Sequence, residues 1–547
     1  MSTTLRKHTG KTGQHRMRSR LVRSRTDKGQ SFQDAFAEQG VQFPLAPETP
    51  PEPGKDRRVD FPLRPQRRGV FRPGYGWQAV GTPQGRVYRS TTDQVGGVFP
   101  FLTASPMPKQ GAPLGYVAAT ATGFYVDPWQ WVQLGLVSNP NLMIQGKPGQ
   151  GKSGTVKAII RRALRHGARA FVPGDLKDEY VLVCKEWGVT PWQVGPGMPT
   201  RINPLDPGPL AANWRSLSQQ TRDERWVDIR ARWLVLLEGL LGAQDVAVTS
   251  TVQTAIAAVV DELTGAAAGG GNVTAVPDII IPQVWKAAYD PSDHLLKQLR
   301  YDSERDYYAD LRPMVTGLNV LVNGALKGMF DDHTTIDVDW NAPIQSLSMK
   351  RLKEMADDKV IGVALTCANS WVSGMTAVNP TGQPIYIPRD EVWRVMRLGV
   401  NAVKSLDSNL RLSRDERKIE MLIMHKPSDL SSVGAAGSQE AAIAEDFWAL
   451  CDTKVSLGHD KTIAQTTGEK WGLSSQEQAA IAGWCRRKKG RALWRIGDHS
   501  LRVETMLAPH EEKYLFNTND RTDYGESQVA ASTPDAGDDA TTENEVS

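Results

Sequence analysis

Cysteine is scarce: four residues in 547, Cys184, Cys367, Cys451 and Cys485, with no C-x-x-C pair. That scatter excludes a disulfide framework and a cysteine zinc site, and the four read as ordinary core or surface thiols. Nine histidines make no H-x-x-x-H or H-E-x-x-H pattern, so no structural metal is expected. Long apolar runs are missing as well. No stretch reaches the ~18 residues that cross a bilayer, and the first thirty residues lack the apolar core of a signal peptide. The expectation is a soluble, cytoplasmic protein without a transmembrane segment of its own. Net charge is only +4, which excludes a uniform polycation.

What charge there is lies at the ends. Arg6, Lys7, Lys11, Arg16, Arg18, Arg20, Arg23, Arg25 and Lys28 face the lone Asp27, whereas everything after Arg521 lacks Lys and Arg and carries Asp523, Glu526, Asp535, Asp538, Asp539, Glu543 and Glu545. Both ends read as disordered tails. The basic one is open to nucleic acid, to an anionic membrane surface, or to plain solvation. The Pro-rich run 47–54 marks a linker. Sixteen tryptophans are spread along the chain and read as core packing, not as a base-stacking surface.

The chemistry begins at Gly146-Lys147-Pro148-Gly149-Gln150-Gly151-Lys152-Ser153, a complete G-x-x-x-x-G-K-S phosphate loop followed by Gly154. Asn141 to Ile144 is a short apolar strand. Thr155 to Leu164 has helical spacing, with Val156, Ile159, Ile160 and Leu164 on one face and Gly167 as a stop. In a strand–loop–helix context, backbone N–H groups wrap the phosphates, Lys152 reaches the terminal phosphates and Ser153 binds magnesium. ATP and Mg2+ are the expected ligands. Arg169 to Val172 reads as a second strand ending at Pro173-Gly174-Asp175. Strands and helices at this pitch predict an α/β fold with a mainly parallel sheet and the ligand at the strands' carboxyl ends.

Short β runs precede the loop at 98–101, 113–117 and 123–126. Between 210 and 340 the rhythm breaks into helix-like stretches, 226–242, 251–263 and 311–329, interrupted by a flexible 266–271 segment. The sheet pattern resumes at 344–347, followed by a long helix near 350–372, and then by strands at 384–387, 421–424 and 454–457. Six regions result: a disordered tail 1–70, a β-containing lead-in 71–120, one half of the core 121–209, a helical insertion 210–340, the second half 341–522, and an acidic tail 523–547. No internal repeat is apparent.

Asp390-Glu391 comes directly after the 384–387 strand. A phosphate-loop hydrolase needs a carboxylate near magnesium, here Asp390, and often a neighbour to polarise the attacking water, here Glu391. The same pair would also start the helix at Val392–Met396. Pro388 and Arg389 are expected to interrupt the strand leading into these acids.

Several segments together resemble the VirB/TraC-type ATPases of type IV secretion and conjugative transfer, within the HerA-FtsK branch of P-loop motors. They are the approach from Gly123 to Ser153; Asp175-Leu176-Lys177-Asp178-Glu179-Tyr180 against the family's aspartate and Pro-Lys-Gly-Glu-Tyr; Ile202-Asn203-Pro204-Leu205; Asp390-Glu391-Val392-Trp393 against Asp-Glu-Ala-Trp; and Met421 to Leu430. The likeness spans roughly 95–520. It implies a RecA-like motor core and a homo-oligomeric ring, with hexamer as the family state. It also implies other secretion components as partners at the inner face of the membrane, and a chain shortened at its N-terminus relative to full-length relatives. His425 stands where the family has a glutamine that senses the γ-phosphate. Asp175 and Glu179 are further site candidates, and Arg486, Arg487 and Arg491 are candidates for an arginine supplied between subunits. Two other readings share these residues: a nucleotide-binding scaffold with little turnover, and an FtsK-like DNA translocase or coupling protein.

Overall fold

The computed structural model describes residues 69–72, 76–79, 107–266, 273, 275–398, 400–431 and 439–515. The two tails, the 98–101 run, the 47–54 linker and most of the 266–271 segment lie outside them. The chain divides into a unit at 1–98 and a unit at 99–547. In the first, β1 (Gly69–Arg72) and β2 (Gly76–Ala79) form an antiparallel hairpin.

The second unit is built on one 11-stranded sheet. Its parallel part contains β5 (Leu142–Gln145), β6 (Arg169–Asp175), β7 (Trp192–Gln193), β8 (Ile344–Ser348), β9 (Ile385–Arg389), β10 (Lys418–Met424) and β11 (Thr453–Leu457). An antiparallel flank adds β3 (Ala112–Val117), β4 (Gly123–Val126), β12 (Arg491–Ile496) and β13 (His499–Thr505). The spatial order is β4-β3-β13-β12-β11-β5-β10-β9-β6-β8-β7. Every residue of β5, β8, β9 and β10 is buried, as expected for parallel strands covered on both faces.

Those two faces carry different cores. On one, the helix Lys152–Arg165 lays Val156, Ile159, Ile160 and Leu164 against Leu142, Ile144, Tyr386 and Ile423. On the other, the helices Gln219–Gly242, Ser250–Thr264 and Glu304–Val320 share a cluster with Phe171 of β6, Leu347 of β8 and Trp371. The helices between β7 and β8 thus pack on the sheet itself instead of closing around a core of their own. Trp131, Trp214, Trp226, Trp233, Trp371 and Trp494 are all fully buried, which places these six rings in cores.

Two local expectations need correction. The single helix near 350–372 is two, Lys350–Met355 and Asp358–Met375, because Asp357 caps the second by accepting from Val360 N at 2.9 Å. Pro388 and Arg389 do not interrupt their strand. β9 runs through both, paired in parallel with β10 at Met421 and Leu422. Beside Pro388 the ladder to β6 has already ended at Tyr386. The Arg389 guanidinium, itself buried, makes a bidentate pair with Glu420 at 2.6 and 2.9 Å and donates to Asn369 Oδ1 at 2.6 Å.

Candidate functional site

β5 lies at the middle of the sheet between β10 and β11, so the turn that leaves its carboxyl end opens between two other strand ends. Gly149 and Gly151 have φ of 82° and 93°, a left-handed conformation open to glycine at little cost. At Gly151 space matters too, because a Cβ there would fall 2.7 Å from Gly490 N. The loop is braced from behind: Gly490 N donates to Gln150 O at 2.9 Å, and Lys147 N donates to Gly458 O at 3.4 Å. Lys147, Pro148 and Gly149 stay exposed, Gly146 is buried against Leu457, and Gly154 lies within the first helical turn. The helix beginning at Lys152 aims its unpaired first-turn N–H groups at the same place.

Lys152 is buried at the floor. Its Nζ donates to Met424 O at 3.1 Å and lies 2.9 Å from His425 Nδ1. Burial lowers its pKa, against the pull of Asp390 and Glu391. Burial and the Lys152 charge lower that of His425, leaving a neutral ring whose Nδ1 accepts from the lysine. His425 itself is positioned by Asp429, whose Oδ2 accepts from the backbone N–H groups of His425 and Lys426 at 2.9 and 3.0 Å.

The acids arrive from β9. Asp390 Oδ1 accepts the Glu391 N–H at 3.0 Å, and burial raises the Asp390 pKa although Lys152 opposes it. Glu391 has a left-handed backbone, φ 52°, at a cost of about 1–2 kcal/mol for an L residue. Its carboxylate receives Lys177 Nζ on Oε1 at 2.9 Å and Trp393 Nε1 on Oε2 at 2.6 Å, with His425 Nε2 at 3.9 Å from Oε2. Burial alone would push this carboxyl up, yet Lys177, Trp393 and His425 together hold it at about 2.

β6 supplies a third arm. Asp175 accepts from the backbone N–H groups of Lys177, Glu179 and Tyr180 at 3.2, 2.9 and 2.8 Å, folding the following loop back toward the phosphate loop. Burial raises the Asp175 pKa to about 6 despite those bonds. Glu179 accepts from Ser153 Oγ at 3.4 Å and pairs with the buried Lys157 at 3.3 Å. Lys152, Ser153, Asp175, Glu179, Asp390, Glu391 and His425 therefore meet in one place.

The arginines do not share that place. Arg491 is held in β12 by Glu504 at 2.7 Å and lies over the Trp484 ring. Arg486 reaches Asp460 at 3.4 Å, which also meets Lys147 of the loop at 3.5 Å, and Arg487 is exposed beside it. Lys177 and Trp393 stand out in the sequence only as parts of motifs. Their contacts with Glu391 make them members of the site, and the two-residue spacing from Asp175 and from Glu391 is the signal available.

The donor set fits a magnesium nucleotide. Ser153 and Asp390 offer hard oxygens beside a phosphate loop, and magnesium needs only one or two protein oxygens plus phosphates and water. Among the described residues no group of three or more His, Cys, Asp or Glu could hold a metal unaided, and none of their helices is long and apolar enough to cross a membrane.

No protein-family model and no curated protein matches this sequence. Among solved structures, VirB4 of Thermoanaerobacter pseudethanolicus is similar with a TM-score of 0.57 and 18% identity, over 75% of this chain and 100% of that one. The bacterial conjugative coupling protein TrwBdeltaN70 aligns at TM-score 0.48 and 12% identity over 73% of this chain and 89% of its own. Plasmid coupling protein TrwB in complex with ADP and Mg2+ aligns at 0.46 and 13%, over 73% and 91%. The resemblance read from the motifs thus holds at the level of the fold: the α/β architecture with its mostly parallel sheet is the one VirB4 has.

Proposed function

We propose that this chain is an ATP hydrolase that powers conjugative transfer or type IV secretion as a motor subunit. The observation that carries the reading is the meeting of a phosphate loop with Asp390, Glu391 and His425 at the carboxyl ends of three adjacent parallel strands, β5, β10 and β9. Phosphoryl transfer asks mainly for positioning and charge stabilisation. Lys152 neutralises charge that develops on the transferred phosphoryl group. Ser153 and Asp390 would hold magnesium, which when bound would supply positive charge to stabilise the phosphate oxygens. Glu391 accepts a hydrogen bond from the attacking water. As the water oxygen bonds to the γ-phosphorus, the bond to the bridging oxygen breaks, ADP leaves with that oxygen, and the water's proton departs through the carboxylate.

In this reading 121–209 and 341–522 are the two halves of a RecA-like core, and 210–340 is an insertion. Subunits form a ring that meets the membrane through partner proteins, and the basic residues near the start contact nucleic acid. Arg486, Arg487 and Arg491 are the candidates for an arginine supplied to a neighbouring subunit's site.

Steady-state ATPase assays test the reading. Lys152→Ala should cut turnover by ~100-fold or more, and Glu391→Gln should keep ATP binding while hydrolysis collapses. Activity that survives Lys152→Ala would overturn the assignment. A wild-type protein that binds ATP without turnover, unaffected by Glu391→Gln, would be the scaffold instead.

A further inference from the structure

Lys177 has no part in the mechanism above, yet it touches the residue on which that mechanism depends. Its backbone is fixed, through the Asp175 hydrogen bonds that shape the loop 176–180. Its side chain is not: 40% exposed, it spans from that loop to Glu391 Oε1. The other carboxylate oxygen is held by Trp393, part of the short helix Val392–Met396. Glu391 therefore has one oxygen on a rigid indole and the other on a flexible four-carbon stem.

Lys177 also lies close enough to Lys152 for the two ammonium groups to repel, while both are drawn to Asp390 and Glu391. Two cations, Lys152 from the phosphate loop and Lys177 from the loop after β6, facing one set of acids, form an arrangement that a multiply charged anion completes.

We propose that Lys177 is a positioning residue shared between Glu391 and the terminal phosphate of ATP. It turns toward the γ-phosphate in the triphosphate complex, freeing Oε1 for the attacking water while Trp393 keeps Oε2 in place. ADP has no γ-phosphate, so with ADP the ion pair persists. The water-orienting oxygen is thereby exposed only when the bond to be broken is present. This rests on the ATP hydrolase reading and adds to it the element that tells triphosphate from diphosphate.

Equilibrium binding of the full chain to ADP and to a non-hydrolysable ATP analogue, each with magnesium, tests the role beside turnover assays. Lys177→Met should weaken the analogue about tenfold and ADP less than about twofold, whereas Lys177→Arg should retain most of the discrimination. Glu391→Gln, which removes the competing charge, should tighten the analogue, and that gain should vanish when Lys177→Met is added. Equal weakening of both nucleotides by Lys177→Met would overturn the proposal and leave the lysine a structural partner of Glu391. So would a Glu391→Gln gain that survives in the double variant. If Lys177→Met fails to fold, seen as loss of ADP binding, Lys177→Gln carries the same comparison. A wild-type chain that neither binds nor hydrolyses ATP defeats the hydrolase reading itself. A wild type that does both, with an unmoved ADP-to-analogue ratio in the variant, defeats only the role of Lys177.

Discussion

Glu420→Gln should be among the most damaging single changes in the sheet, because it breaks from one side the ion pair that anchors the end of β9. The side chains of Arg389 and Glu420 are only 2% and 1% exposed, so neither charge can turn to water when its partner is lost. Two of the guanidinium's hydrogen bonds go to Glu420 and one to Asn369. A glutamine keeps one acceptor and no charge, leaving Arg389 as an uncompensated buried cation. Removing one partner of such a pair costs about 3–5 kcal/mol, against a total stability on the order of 5–15 kcal/mol for a folded domain. The population of unfolded chains then rises by about two to four powers of ten. Replacing both partners together, Arg389→Met with Glu420→Leu, removes the stranded charge and should cost much less. Urea denaturation followed by tryptophan fluorescence and by far-ultraviolet circular dichroism measures both variants against the wild type. A loss below about 1 kcal/mol for Glu420→Gln, or a double variant as unstable as the single one, would refute the reasoning.

Three further outcomes are expected. His425→Gln should leave turnover equal or higher, since a glutamine can accept from Lys152 and donate toward Glu391 at once; a loss beyond about tenfold would show that the imidazole itself is required. His459 is buried, and burial with the Lys152 charge lowers its pKa from 6.5 to about 4, so it is harder to protonate in the folded chain than in the unfolded one. The stability it contributes is full above about pH 6.5 and is lost as pH falls through about 4, about 3 kcal/mol in all, so His459→Gln should flatten thermal stability across that window; unchanged slopes would refute it. Light scattering of the purified chain with ATP should detect a ring, and monomer at every concentration and nucleotide state would count against ring assembly.

The parts of the site legible in the sequence are those whose chemistry needs neighbouring residues. Wrapping a phosphate takes successive backbone N–H groups, so Gly146 to Gly154 had to be contiguous. The adjacent acids Asp390 and Glu391 are readable for the same reason. The strands β5, β9 and β10 are legible because burial on both faces makes each a short run rich in apolar residues. The pairing of Lys177 with Glu391 is not, since 214 residues separate them and only the sheet order brings β6 near β9. The hairpin of β12 and β13 is not among the strands read from the sequence, where Arg491 figures only as a candidate intersubunit arginine, although the alternation of Arg491 and Arg495 with Ala492, Trp494 and Ile496 is the period of a half-buried strand.

Arg389 shows why a local rule fails at such a point. A buried arginine in an apolar strand reads as a break, because an isolated charge would cost far more than the strand could recover. Its counter-charge, Glu420, lies on a strand that pairs with β9 only after the chain has travelled 31 residues. A charge at a strand end is therefore a break only if no neighbouring strand answers it. Here the answer also fixes the position of the turn beyond the strand, since the two residues immediately after Arg389 are the acids of the site. The ion pair holds the end of β9 from one face, and the hydrogen bonds of Lys177 and Trp393 hold Glu391 beyond it. A left-handed residue at 391 is sustainable between two such anchors. Loosening the Arg389–Glu420 pair or the Trp393 bond should displace the carboxylate before it unfolds the sheet, so the strand's departure from apolar pattern and the site's geometry have one cause.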